Sequence, residues 1–199
     1  VTCLCLTRNR RDWLQKAIES YQKQTYLNRE LLIIADGQDV SDLLPKSNSI
    51  RLIHVSGAPE IGTKRNFGCE RALGEIICHW DDDDYSAPGR VRDQVSRLIE
   101  TGKAVTGYCS MLFKQGAEQW LYKNRPPYAI GTSFCFYKSW WQAHRFPEKH
   151  VAEDEGFYIA ARDHGQLVSV DAGDMMYATI HKDNTSPRDL KKTYWTRIA

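Results

Sequence analysis

Glu75-Ile76-Ile77-Cys78-His79-Trp80-Asp81-Asp82-Asp83-Asp84 is the stretch that decides the fold. Its first six residues read as a short strand, and it stops in four carboxylates that have no packing use where an apolar strand meets a loop. Tyr85-Ser86-Ala87-Pro88 follows, with Ser86 and Pro88 suited to start a helix that carries Val91, Val95, Leu98 and Ile99 on one face. Strand, polar loop and helix in that order form the repeating unit of an α/β protein.

The same unit recurs upstream. Val1 to Leu6 is an apolar run opening into Thr7-Arg8-Asn9-Arg10, after which Asp12 offers a helix N-cap and Trp13, Ala17, Ile18 and Tyr21 recur at helical spacing. Leu31 to Ala35 is a second strand ending at Asp36-Gly37, Ile50 to Val55 a third, and Ile61 to Leu73 a helix. This alternation predicts a Rossmann-like α/β fold with a mixed, mostly parallel central sheet flanked by helices. Such sheets bind ligands beyond the carboxyl ends of their strands, so Thr7, Asp36 and Asp81 to Asp83 are expected along one edge. Downstream, strands are expected at Ala104 to Tyr108, Trp120 to Tyr122 and Met175 to Ile180, and helices at Lys138 to His144 and Glu153 to His164.

Size and composition bound the reading. A chain of 199 residues with 42% apolar content suits one domain, residues 1–199, with or without further segments in a longer protein. Its 27 basic and 25 acidic residues leave a net charge of +2, too little for the basic field that captures nucleic acid. The cysteines at 3, 5, 69, 78, 109 and 135 sit in apolar or small-residue contexts without a C-x-x-C pair, and read as buried thiols of a reducing compartment. No apolar stretch approaches the ~20 residues that cross a bilayer, and no signal peptide precedes the first strand. The expected location is cytoplasmic, including the periphery of a membrane.

Four adjacent carboxylates call for a cation. Mg2+ or Mn2+ prefers oxygen ligands and keeps coordination positions for phosphate, which suits a strand-end D-x-D. A solvated acidic turn is the simpler alternative. Lys64 and Arg65, near the start of a helix with the small residues Gly68 and Ala72, are placed to meet phosphate, and a guanidinium offers it a planar fork of donors.

Thr7-Arg8-Asn9-Arg10, Gln24-Thr25-Tyr26, Glu30-Leu31, Asp36-Gly37, Lys64-Arg65-Asn66-x-Gly68, Ala72-Leu73-Gly74-Glu75 and Asp81-x-Asp83 occur in that order. Together they resemble glycosyltransferase family 2, strongly over residues 1–88 and weakly beyond. The resemblance implies a GT-A fold, with a nucleotide-binding half at 1–88 and an acceptor-side half at 89–199. It implies a metal-dependent inverting transferase that moves a sugar from a nucleoside diphosphate sugar, with UDP favoured, to a glycan, lipid-linked or other hydroxyl acceptor.

Residue by residue, the resemblance puts Thr7 and Arg8 at the base and ribose, Asp36 at the base, and Lys64 and Arg65 at the diphosphate. It puts Asp81 or Asp82 at ribose or sugar, Asp83 and His181 on Mn2+ or Mg2+, and Asp154 as catalytic base in the pair Glu153-Asp154. The chain departs from the family pattern at Ala35, where an acid is usual, and at Gln38, where serine is usual. Trp140 and Trp141 could stack on a sugar or anchor the core. Two alternatives remain open. A sugar-nucleotide nucleotidyltransferase would need a glycine-rich basic loop after the first strand, and Thr7 to Arg10 contains no glycine. A non-catalytic nucleotide- or glycan-binding module is disfavoured by the joint presence of Asp83 and Asp154.

Overall fold

A computed structural model describes residues 1–186 and 188–198. The expected span 1–199 also contains Pro187 and Ala199, which lie outside the described residues. In chain order the elements are β1 (Thr2–Thr7), α1 (Arg11–Gln22), β2 (Glu30–Asp36), β3 (Ile50–Val55), α2 (Ile61–Arg71), β4 (Ile76–His79), β5 (Tyr85–Ser86) and α3 (Arg90–Thr101). They continue with β6 (Val105–Gln115), β7 (Glu118–Lys123), β8 (Cys135–Tyr137), α4 (Lys138–Ala143), α5 (Glu155–Asp163), β9 (Leu167–Asp171), β10 (Met176–Thr179) and β11 (Trp195–Arg197). Single 3-10 turns lie at Ser41–Leu43 and Gly131–Ser133.

The main run of the sheet is ordered β11-β7-β6-β8-β4-β1-β2-β3. From β4 to β3 every pair is parallel, as the alternating first half predicts. Beyond β4 the pairing is mixed. β8 lies antiparallel to both β4 and β6, and β7 antiparallel to β6, whereas β9 and β10 run parallel to β6. The long strand β6 therefore connects, through β8, the parallel block to a second set of strands.

Period-two alternation sends Cys3, Cys5, Leu31 and Ile33 to one face, where Leu14, Ala17, Ile18 and Tyr21 of α1 and Val91, Val95 and Leu98 of α3 cover them. Leu4, Leu32 and Ile34 point to the other face, against Cys69 of α2 and Phe157 and Ala161 of α5. Gly68 lets α2 approach the sheet, since a Cβ there would stand 2.3 Å from Leu4 Cδ1. That close seating carries Lys64 and Arg65 over the carboxyl edge.

Several local expectations shift. Asp12 is not the cap of α1: Arg10 is, without a side-chain cap bond, and Asp12 sits in the first turn near the positive helix end. Leu14 takes the core position expected of Trp13, which is left half-buried. Ser86 belongs to β5 and α3 begins after Gly89, with Ile99 66% exposed rather than on the buried face. Glu153 precedes α5 and Asp154 is its N-cap residue. All six cysteines are buried and free. Among the described residues no helix is long and apolar enough to cross a membrane.

Candidate active site

The carboxyl ends of β1, β2 and β4 open on a cleft of about 1520 Å3. Thr7, Arg8, Lys64, Arg65, Asp81, Asp82, Asp83 and Asp154 all line it, and Tyr128 and Tyr158 line its far end. Asp36 and His181 stand just behind the wall, each bonded to residues that form it.

The turn after β2 explains Asp36-Gly37. Gly37 has φ 105° and Asn9 φ 54°, and Asn9 Oδ1 accepts from the Gln38 amide at 2.9 Å. A Cβ at Gly37 would fall 2.3 Å from that oxygen. The turn leaves the buried Asp36 beneath Lys64, whose Nζ donates to Asp36 Oδ1 at 2.8 Å, and beneath Arg8, whose Nε is 3.6 Å from Oδ2.

Arg65 links the two ends of the cleft. Its Nε donates to Glu153 Oε1 at 3.0 Å, and its Nη2 is 3.6 Å from Asp81 Oδ1. Burial alone would discourage a charged guanidinium, but Asp81 and Glu153 more than offset that and raise its pKa.

The four aspartates separate into distinct environments. Arg10 Nη1 donates to Asp82 Oδ1 at 3.0 Å and to Asp83 Oδ2 at 2.9 Å, and its Nη2 bonds the carbonyl of Asp183. His181 Nε2 also lies 2.9 Å from Asp83 Oδ2, and Asn184 Nδ2 donates to that oxygen at 3.2 Å. The imidazole stacks on Trp13, with ring centroids 4.8 Å apart. Burial, followed by the charge of Asp83, pushes the Asp82 carboxyl up to about 7 despite Arg10. Asp84 faces inward, where it accepts from Thr132 Oγ1 at 2.5 Å and from the Thr179 amide at 3.0 Å. Burial first, then Asp83 and Asp81, raise it well above the usual carboxylate range. Both bonds clasp it to the fold at the wall of the cleft, which it also lines.

Among the described residues no three His, Cys, Asp or Glu side chains form a self-sufficient metal site. A divalent ion with octahedral oxygen chemistry needs fewer protein ligands when phosphates supply the rest. Adjacent donors of such an ion, about 2.1 Å from it, stand roughly 3 Å apart. The 2.9 Å between Asp83 Oδ2 and His181 Nε2 matches that separation. Asp82 Oδ2 is buried without a hydrogen-bond partner. Asp83 and His181 are two donors compatible with a divalent ion that takes its other ligands from phosphate, with Arg10 as the competing internal cation.

Asp154 sits against the backbone of Gly131. Burial first and Glu153 second push its carboxyl up to about 6, opposed by Arg65. Trp141 is a core anchor whose Nε1 donates to Asn66 Oδ1 at 2.9 Å, and neither it nor Trp140 lines the cleft. Sequence reading passed over four residues that shape the site: Arg10, Asn184, Trp13 and Gly131. Arg10 carried a signal, since it lies in the same strand-end loop as Thr7. Asn184 and Trp13 act through contacts 101 or more residues away, and Gly131 through a missing side chain.

A mixed sheet of this order, with carboxylates and paired cations at its carboxyl edge, defines a GT-A glycosyltransferase fold. Staphylococcus aureus TarS residues 1–349 in complex with UDP-GlcNAc superposes with TM-score 0.72 at 15% identity, over 92% of this chain and 59% of that one. The mannosyltransferase PcManGT from Pyrobaculum calidifontis, in complex with GDP-Man and Mn2+, gives TM-score 0.68 at 14% identity, over 92% and 58%. The profile described as Glycosyl transferase family 2 matches residues 3–163, and the chain belongs to that family. It is similar to an uncharacterized glycosyltransferase of Rickettsia felis, 27% identical over 82% of this chain and 30% of the relative. It is also similar to the putative glycosyltransferase EpsH of Bacillus subtilis, 25% identical over 100% of this chain and 66% of the relative. The chain thus spans less than two thirds of either relative's length.

Proposed function

We propose that the chain transfers a sugar from a nucleoside diphosphate sugar, with a UDP-sugar the leading candidate, to an acceptor hydroxyl with inversion at the anomeric carbon. The observation that carries this reading is the double pairing of Arg65. One guanidinium reaches Asp81 of the acidic run and Glu153 beside Asp154, so a donor's diphosphate and an acceptor's hydroxyl can meet within one cleft.

In this reading residues 1–88 hold the donor and residues 89–199 the acceptor. Thr7 and Arg8 meet the base and ribose. Asp36 Oδ2, buried without a hydrogen-bond partner while Oδ1 is taken by Lys64, offers one acceptor to the ring N–H of uracil. Asp81 or Asp82 meets the ribose or the sugar. Asp83 and His181 hold Mn2+ or Mg2+, which when bound neutralises charge on the diphosphate. Asp154 takes the proton of the attacking hydroxyl as the new C–O bond forms, and the anomeric C–O bond to phosphate breaks with its electron pair leaving on the diphosphate. Arg65 stabilises that leaving charge. A glycan, lipid-linked or other hydroxyl acceptor would lie toward Tyr128 and Tyr158.

A donor screen of UDP, GDP and dTDP sugars with Mn2+, read by release of the nucleoside diphosphate, tests the reading. Release from UDP-sugars above the others is expected, and no release from any donor would overturn it. Titration should show UDP binding at least about tenfold tighter with Mn2+, about 1.4 kcal/mol.

A further inference from the structure

Asp154 occupies the space a side chain at position 131 would need, since a Cβ on Gly131 would lie 1.6 Å from Asp154 Oδ2. The carboxyl group therefore rests on the bare backbone of the Gly131–Ser133 turn. Ser133 of that turn is tied by Gln94 Nε2, which donates to its carbonyl at 2.5 Å, and by the Tyr108 amide, which donates to its Oγ at 2.7 Å, while Gly131 and Thr132 are held from the side of the acidic run. His79 Nδ1 is 2.8 Å from Gly131 O. Arg90 Nη2 donates to Thr132 O at 3.2 Å and to His79 O at 2.8 Å. Thr132 Oγ1 reaches Asp84, as described above, which connects the turn to the acidic run.

His79 is fully buried, with ring centroids of Phe134, Phe136 and Phe146 between 5.5 and 5.7 Å away. Burial first and the charge of Arg65 second hold its pKa well below that of an ordinary imidazole, and Arg90 adds to this. A neutral ring that meets a carbonyl at Nδ1 carries its proton there. Its Nε2 has no partner. A histidine kept only to fill an aromatic cage would leave a buried nitrogen unsatisfied for nothing in return, whereas here the opposite nitrogen is committed to the carbonyl beneath Asp154.

We propose that His79 is a positioning residue for glycosyl transfer: its Nδ1–H fixes the Gly131 peptide, and with it the seat of Asp154, while the tie from Thr132 to Asp84 sets the base in register with the acidic run. This rests on Asp154 as the base. Misplacement of a reacting group by about 1 Å can cost on the order of 100-fold in rate.

The test compares His79→Phe, His79→Asn and Gly131→Ala with Asp154→Asn, using the donor chosen by the screen, Mn2+ and water as acceptor. Phenylalanine fills the cage without the donor, and asparagine restores an N–H near the position of Nδ1. Expected for His79→Phe is a kcat at least about tenfold lower, with donor KM and UDP affinity within about twofold. The acidic limb of its pH profile should also move below the wild-type limb as water reaches the seat. His79→Asn should recover most of kcat. Gly131→Ala, which forces the carboxyl group away, should lose about 100-fold in kcat yet bind UDP. Wild-type kcat and pH limb in His79→Phe or in Gly131→Ala, beside an inactive Asp154→Asn, would overturn the positioning role and leave the base standing. An active Asp154→Asn would instead remove the base. Should His79→Phe not fold, His79→Leu, which also lacks the Nδ1 donor, decides on the same criteria.

Discussion

Arg10 Nη1 lies 2.9 Å from Asp83 Oδ2, the oxygen that His181 also approaches, so a side chain of the protein already neutralises the carboxylate proposed to hold the metal. The pair is mostly shielded from water, with side-chain exposures of 19% and 10%, so its attraction is screened less than that of a surface pair. A divalent ion must displace it. Arg10→Gln is expected to raise Mn2+ affinity without nucleotide by about threefold to tenfold, because a competing charge is gone. Titration followed by the electron paramagnetic resonance of free Mn2+ reads this, and weaker binding would show that Arg10 organises the site instead.

Asp83 and Asp84 are neighbours in sequence with opposite expected responses. Asp83→Asn should abolish the Mn2+ dependence of UDP binding. Asp84→Asn should retain it within about twofold, because an amide can still accept from the Thr179 N–H and donate to Thr132 Oγ1. Calorimetric titration of both variants with and without Mn2+ separates the two roles, and equal losses would contradict them.

Asp154 sets a pH dependence. A base must be deprotonated, so kcat/KM should fall as pH drops through about 6. The stability effect has the reverse sign. Its folded pKa is raised above the unfolded value of 3.8, so ionisation of Asp154 costs stability as pH rises from about 4 to about 6, and the cost persists above that. Asp154→Asn should therefore be more stable than wild type at pH 7–8, by about 1–2 kcal/mol after discounting for a side chain that still faces the cleft. The difference should vanish below about pH 4. Urea unfolding at both pH values reads the stability, and the same variant should bind UDP without turning over.

Lys64 and Asp36 are both buried, 7% and 2% exposed, and neutralise each other. Lys64→Met should leave Asp36 with only the half-exposed Arg8, 3.6 Å away, as a counter-charge and cost about 1–3 kcal/mol. Asp36→Asn in the same chain should recover a large part of it, seen as a rise in urea midpoint. A Lys64→Met protein with wild-type stability would show that the pair is solvated.

The parallel half of the fold was legible because its signals are local. Apolar runs ended in Thr7, Asp36 and Asp81, and one topological rule placed all three on one edge. Lys64 and Arg65 followed from their place near the start of a helix with the small residues Gly68 and Ala72, where cations can meet phosphate. The second half was less legible. β8 is three residues long and β9 only five, too short for a period to declare itself, and β11 is defined by its pairing with β7. In the site, the difference between Asp83 and Asp84 comes from Thr132 and Thr179, which no spacing in the sequence announces. The seat of Asp154 is set by the side chain that Gly131 lacks.

The antiparallel pairing of β4 with β8 has a practical consequence for dissecting this protein. β4 ends the parallel block, yet its second neighbour is contributed from beyond residue 88, so the two halves proposed for donor and acceptor are not separable modules. A fragment 1–88 made alone would carry a bare sheet edge with Ile77 and Cys78 beside it, and is expected to self-associate. Fragment complementation would have to reunite both pieces across that edge before any cleft existed, which makes restored UDP binding a stringent readout of correct reassembly.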